Sequence, residues 1–396
     1  MKKGWRGLRA QVGQLWNIPQ ARAYLLSVLW HNLAAGWFFA TYVLFLLERG
    51  MSLQQANLIN GVFMAVCFVF DPITGKLADR VGQRKVFVWG LWGWAASFGV
   101  YFASHGFWAF AVAEAVGAIG HSLISEALES WLRNTTDEKT AHETMSTTSS
   151  LSPLVFIPTA LGGGLVGAHF GLEWPWMLAA GSCVIAAVVC RKLLSRFGEG
   201  KAENNPETPN LSVAQVAKLT LRHPNLAFSL VIAFGIGAAV MPYNMFWTVT
   251  LRNLGADLGW LGAMWIPIAV MTGLGANWAR KQTEGKQSVA KAVALIGAPM
   301  VLPLLWPKLW PVVAFFALHE LGRGAIRPVL FTYANRHIEN HYRSTANSIR
   351  SAVWTLGGAT GLIISGFLSN NLTTVQVWAI SGVGLLGLAL WARAKG

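Results

Sequence analysis

Gly75-Lys76-Leu77-Ala78-Asp79-Arg80-Val81-Gly82-Gln83-Arg84-Lys85 is a polar run caught between two apolar blocks, residues 53–73 and 85–103. Four bases surround a single acid, Asp79, and glycines stand at 75 and 82. Glycine permits tight turns and close backbone approach. Each neighbouring block is close to the ~20 residues that a helix needs to cross a hydrocarbon core about 30 Å thick. The run therefore reads as a short loop joining two membrane spans. Its acid is placed to hold a neighbouring helix terminus or a base.

The whole chain has the composition that this reading requires. Its 396 residues are 54% hydrophobic and 12% charged, about half the ~25% charged content of soluble proteins. That excludes a soluble enzyme, a disordered chain and a disulfide scaffold. Twelve apolar blocks lie near 22–47, 53–73, 85–103, 107–133, 144–167, 174–194, 226–250, 258–279, 288–306, 309–333, 345–368 and 373–392. Their length and their Gly, Ala and Leu content fit helices, because barrel strands would be about 10 residues of alternating polarity. The first block is too long for a secretory signal and leads straight into more membrane. Cys67, Cys183 and Cys190 are scattered through apolar blocks and form neither a metal pattern nor a disulfide framework.

Most blocks are joined by short loops. The exception is 195–224, where KAENNPETPN marks a solvated linker and LSVAQVAKLTLRHP a helix suited to the membrane surface. Expected domains are thus an N-terminal six-helix bundle (1–197), a linker (198–224) and a C-terminal six-helix bundle (225–396). The formal net charge of +14 follows the same plan. Of 31 Lys and Arg, 25 fall in the termini and alternate loops on one side, only Arg49, Arg252 and Lys308 on the other, and Arg323, Arg327 and Arg350 within spans. The positive-inside rule makes the basic side, with both termini, cytoplasmic. The charge is accounted for by topology, and no nucleic-acid partner is expected.

The halves echo each other. GAIGHSLISEALESW (117–131) aligns with HELGRGAIRPVLFTY (319–333), matching Gly120 with Gly322 and Leu128 with Leu330. Duplicated halves point to a transporter with its site near the midplane.

The run at 75–85 resembles the signature loop of the major facilitator superfamily, G-x-L-a-D-r-x-G-r-k, with Gln83 replacing the usual base. Asp71-Pro72-Ile73-Thr74 and the stretch GRGAIRPVLFTYANRHIENHYRSTANS are similar to bacterial drug and metabolite:proton antiporter branches. The resemblance implies an all-α integral membrane fold of twelve transmembrane helices in two pseudo-symmetric six-helix bundles. It implies a conformational latch formed by Asp71, Gly75, Asp79, Arg80, Gly82 and Arg84. It further implies a monomeric secondary transporter of a bacterial inner membrane, without a cofactor. Two departures stand against an exporter. The fourth span has Glu114, Gly117 and His121 where proton-coupled exporters carry an Arg. The fifth reads Pro158-Thr159-Ala160-Leu161-Gly162-Gly163 in place of G-P-x-x-G-G.

A charge at mid-bilayer costs about 2.5–3.5 kcal/mol on insertion scales, so ionisable residues within spans are functional candidates. Five acids lie in or at the edges of spans: Asp71, Glu114, Glu126, Glu129 and Glu320. Three bases accompany them, and carboxylates left over would suit proton coupling. At 1.5 Å per residue, Glu320 sits roughly 16 Å along its helix, near the bilayer centre, and Glu114 roughly 10 Å in from the outer side. Asp71, Glu126 and Glu129 lie near the cytoplasmic ends, where ion pairs with Arg133 or Arg350 are expected. Glu114, His121 and Glu129 share one face of the fourth span, and Glu320, Arg323 and Arg327 one face of the tenth.

Glu114, Glu320 and His121 are the proton-coupling candidates. His31, Asn32, Trp37, Tyr243, Asn244, Trp247, His319 and Arg323 are the substrate-binding candidates. Many of the twenty tryptophans sit at span ends, as interfacial belts do. The expected function is proton-coupled export of a small, partly hydrophobic compound by two rocking halves. The alternatives are an importer or exchanger of a charged metabolite read by Arg323 and His31, and a transport-inactive sensor or scaffold. No G-x-x-x-x-G-K-[ST] phosphate loop is present, so an ATP-driven pump is not expected.

Overall fold

The computed structural model describes residues 11–125, 127–199, 212–282, 285–339 and 342–395. These residues are helical apart from short connections, with no strand among them. In chain order the helices are α1 (Pro19–Ala35), α2 (Tyr42–Glu48), α3 (Leu53–Val81), α4 (Gln83–Ala103), α5 (Phe107–Ser125), α6 (Ala127–Arg133), α7 (Glu138–Phe170) and α8 (Trp174–Leu194). They continue with α9 (Val213–Arg222), α10 (Pro224–Asn253), α11 (Leu258–Leu261), α12 (Trp265–Ala279), α13 (Lys286–Val301), α14 (Leu309–Asn335), α15 (Arg343–Leu368) and α16 (Thr374–Ala394). Glu126, most of the linker and the N-terminal bases Lys2, Lys3, Arg6 and Arg9 lie outside the described residues.

Among the described residues, eleven helical segments are long and apolar enough to cross a membrane. The remaining expected span, α14, has 27 residues, about 40 Å of helix. It carries Glu320, Arg323 and Arg327 in its middle, which sets it apart chemically and not in length. The chain is an integral, multi-pass, all-α membrane protein. Large apolar side chains at 40–80% exposure, among them Phe68, Trp89, Trp92 and Val383, cover its outside, as a lipid-facing surface requires. Trp108, Trp306 and Trp310 are exposed at helix ends, where the amphipathic indole suits the headgroup level.

Local chemistry sets the ends. Asp137 caps α7 by accepting from the Thr140 amide at 2.9 Å, and capping boxes start α9 (Ser212, Gln215) and α16 (Thr373, Gln376). Helix α9 is amphipathic. Val216 and Thr220 are buried, with Val216 packed beside Leu226, Ala334, Ile338 and Tyr342, while Val213 and Leu221 stay exposed.

The chain divides into two compact units. One comprises Met1–Phe45, Val66–Asn204 and Leu258–Trp265, the other Leu46–Ala65, Asn205–Asp257 and Ile266–Gly396. Each includes a short piece from the opposite half of the sequence. In the first unit α7 lies so close to the turn after α11 that a Cβ on Gly262 would stand 2.3 Å from the Ala160 carbonyl. In the second, Asn370 donates to Gln54 at 2.9 Å. The second unit is also built on close helix contact: a Cβ on Gly361 of α15 would stand 2.0 Å from the Ala238 carbonyl of α10. Small residues let membrane helices approach in this way.

Candidate functional site

In the first unit, α5 buries Glu114 to 8% exposure among aromatic rings. The Tyr42 hydroxyl donates to its Oε1 at 3.3 Å, and the Tyr101 hydroxyl donates to its Oε2. Both tyrosines are held by Trp176, whose ring stacks on Tyr101 at 4.1 Å and meets Tyr42 edge-on at 5.8 Å. Glu114 is thus a carboxylate held by two phenols in an apolar shell.

A second polar group lies nearby in the same unit. Trp94 is stacked between His31 (4.9 Å) and His121 (5.9 Å), with its indole N–H bonded to the Gly117 carbonyl at 3.1 Å. The buried His31 Nε2 has no hydrogen-bond partner. Asn32 instead donates to Ser152 on α7 at 3.0 Å, and Trp37 to Ser182 on α8 at 3.0 Å. These two candidates tie helices together.

In the second unit, α14 presents Glu320 at 2% exposure. Arg323 Nη1 donates to Glu320 Oε1 at 2.8 Å and to Asn244 Oδ1 at 3.0 Å, and Thr272 donates to Glu320 Oε2 at 3.5 Å. The Arg323 side chain remains 36% exposed. His319, one residue away, faces α13 and reaches the Ile296 carbonyl at 3.2 Å. Tyr243 lies 4.0 Å from the His319 ring and 4.3 Å from Trp378. The Tyr243 hydroxyl, His319 Nε2 and Trp378 Nε1 are buried without hydrogen-bond partners. Trp247 stacks on Phe316 at 5.4 Å and is 7% exposed. Tyr243 and Trp247 thus pack against neighbouring rings of their unit, while Asn244 and Arg323 belong to the ionic cluster.

The signature stretch is not the loop that its polarity suggests. Helix α3 runs on through Val81, and α4 begins at Gln83, so Gly82 alone (φ +114°) makes the turn. Lys76, Arg80 and Asp79 ride on the protruding end of α3, where polar side chains do not interrupt a helix that has left the apolar core. Gly75 is within the helix, with open space where a Cβ would project, so it serves neither a turn nor a close approach. Gln83, the departure from the family pattern, donates to Asp79 at 2.9 Å from a buried position. Arg84 pairs with Glu199, as does Lys85 at 3.8 Å, and Trp131 donates to the Gly198 carbonyl at 3.0 Å. A cavity of about 150 Å³ beside this turn is lined by Asp71, Thr74, Gly75, Asp79 and Ser122, among others. Arg80 is exposed. Of the ion pairs expected near the span ends, Glu129 meets Arg133 at 3.6 Å. Arg350 instead donates to the Leu330 carbonyl at 3.3 Å.

Tyr42, Tyr101, Trp94, Thr272 and Glu199 are absent from the sequence-derived candidates. The signal was present for the tyrosines: a phenol inside an apolar block needs a partner for its hydroxyl. The chain has only six tyrosines.

Ionisable clusters inside long apolar helices mark pathways for ions or solutes, and the family model that matches the chain makes it a membrane transporter of a small molecule rather than an enzyme. Residues 25–309 and 285–395 match the family model of the Major Facilitator Superfamily. An uncharacterized MFS-type transporter of Bacillus subtilis (strain 168), YxaM, is 21% identical over 378 residues, covering 92% of each chain. Major facilitator superfamily domain-containing protein 10 of Bos taurus is 34% identical over 89 residues, 22% of this chain and 20% of that one. The crystal structure of the peptide transporter POT in complex with sulfate is similar, with a TM-score of 0.74 at 16% identity over 95% of this chain and 94% of that one. The nucleoside transporter NupG gives 0.73 at 13% identity over 95% and 98%. The chain belongs to the Major Facilitator Superfamily.

Proposed function

We propose that the protein is a proton-coupled secondary transporter that exports a small, partly hydrophobic solute. On this reading it is a monomer of a bacterial inner membrane with both termini cytoplasmic. The observation that carries the coupling is the pair of buried carboxylates, one per unit. Glu114 is held by Tyr42 and Tyr101, and Glu320 by Arg323 and Thr272. An ion buried without function would be a cost with no return, so the clusters favour an active carrier over a scaffold. Each carboxylate takes and releases a proton as access alternates. The Asp71–Arg84 segment latches one state shut. The direction of transport follows from the resemblance to antiporter branches. The structural relatives named for peptide and nucleoside transport leave the solute open, since a shared fold does not fix a substrate.

An untargeted metabolite and drug-susceptibility comparison of cells with and without the protein identifies the solute. In proteoliposomes an imposed pH gradient then drives its flux. Loss of that drive in Glu114→Gln and Glu320→Gln is the expected result. Intact coupling in both variants removes the assignment, and no saturable flux with any solute class supports the scaffold.

A further inference from the structure

Three arginines lie within the spans of the second unit, and among the described residues only Arg323 has a carboxylate partner. Arg323 is paired with Glu320 at 2.8 Å. Arg327, one turn further along α14, is exposed and has no ion-pair partner among the described residues. Arg350, on α15, donates to the Leu330 carbonyl and lies 5.3 Å over the Phe331 ring, again with no carboxylate partner. Phe331 is one turn beyond Arg327 on the same face of α14, so Arg327 and the guanidinium of Arg350 flank one ring. At 1.5 Å per residue both lie about 10–12 Å inside the helix ends at Asn335 and Arg343. Two like charges at one depth on either side of one phenyl ring carry an electrostatic cost that an anion would relieve. The carbonyl and the phenyl face fix where Arg350 sits without neutralising it. Guanidinium groups bind carboxylate and phosphate oxygens through paired N–H donors.

We propose that Arg327 and Arg350 form an oxyanion site that binds the negatively charged head of the transported solute, a carboxylate, sulfonate or phosphate monoester. The proposal rests on the transport reading and narrows its substrate class to an amphipathic anion. A lipid headgroup offers the same chemistry, so the experiment separates the two sources.

The purified protein in neutral detergent is unfolded thermally, with tryptophan fluorescence as the readout. Benzoate, benzenesulfonate and phenyl phosphate are each compared with benzamide and benzylamine. At least one anion raises Tm by several degrees, and the uncharged and cationic compounds do not. Arg327→Gln and Arg350→Gln weaken the anion's apparent affinity about tenfold or more, as expected for loss of a charge-assisted bond. Arg327→Lys and Arg350→Lys keep the charge and recover part of it, which guards against variants that fail to fold. Equal stabilisation by benzamide or benzylamine, or no shift with any of the three anions, overturns the proposal. A shift with phosphatidylglycerol alone assigns the site to lipid and also overturns it. Binding needs no gradient, so anion binding without pH-driven flux would count against proton coupling alone. Coupled flux of an uncharged solute would count against this site alone.

Discussion

Glu114 shows how a charge-bearing side chain is kept inside an apolar helix. Its two oxygens meet two phenols, Tyr42 and Tyr101, and Trp176 fixes the rings that carry them. Glu114→Gln removes the titrating group but keeps one oxygen to accept a hydroxyl, its NH2 turning to the other hydroxyl as a donor, so the protein should stay folded while proton-coupled flux is lost. Tyr101→Phe does the reverse. It deletes a hydrogen bond to a charged acceptor, worth about 1.5–3 kcal/mol, and thermal unfolding in detergent should show a clear drop in Tm. Glu114 itself was legible in the sequence as an acid within an apolar block. Its partners were not, because Tyr42 and Tyr101 come from different helices and nothing in their spacing brings them together. Likewise Tyr243 and Trp247 are equally interior as letters, and only the structure shows which rings they pack against.

Helices and their ends were more legible than the site, because apolar length and capping residues act locally. The exception is informative: the polar run at 75–85 ends the apolar block without ending the helix. Hydropathy reports where the bilayer stops, whereas Gly82 decides where α3 stops. Asp137 is a direct test of local control. The Thr140 hydroxyl and amide hold its carboxyl below the ordinary value, and Asp137→Ala should destabilise the first turn of the helix. Amide hydrogen exchange should then show faster exchange confined to the first turn of α7. At the close contact of α10 and α15, Gly361→Val forces a side chain onto the Ala238 carbonyl. Overpacking of about 1–3 kcal/mol or more is expected, visible as a lower Tm. Beyond the end of α14, partial burial and then the nearby His223, Arg336 and Lys286 push the His337 imidazole below its ordinary 6.5. The unfolded chain therefore holds that proton more tightly. Stability from neutral His337 is complete above pH 6.5 and is lost as pH falls through the lower folded value. Acidification from pH 7 to 5 should reduce Tm more in the parent than in His337→Gln.

At the scale of the whole molecule, the gathering of 25 bases in the termini and alternate loops was visible before any coordinates. What each charge does depends on contacts between helices far apart in sequence, as with Arg323 and Asn244 or Arg84 and Glu199. On the proposed function, protons move against solute through the two buried carboxylates, Glu114 and Glu320. The direct measurement is solute-driven proton movement in proteoliposomes loaded with a pH-sensitive dye. A solute gradient should drive protons in the opposite direction, with the movement abolished in Glu114→Gln and Glu320→Gln. Saturable solute flux with no accompanying pH change in the parent protein would contradict it.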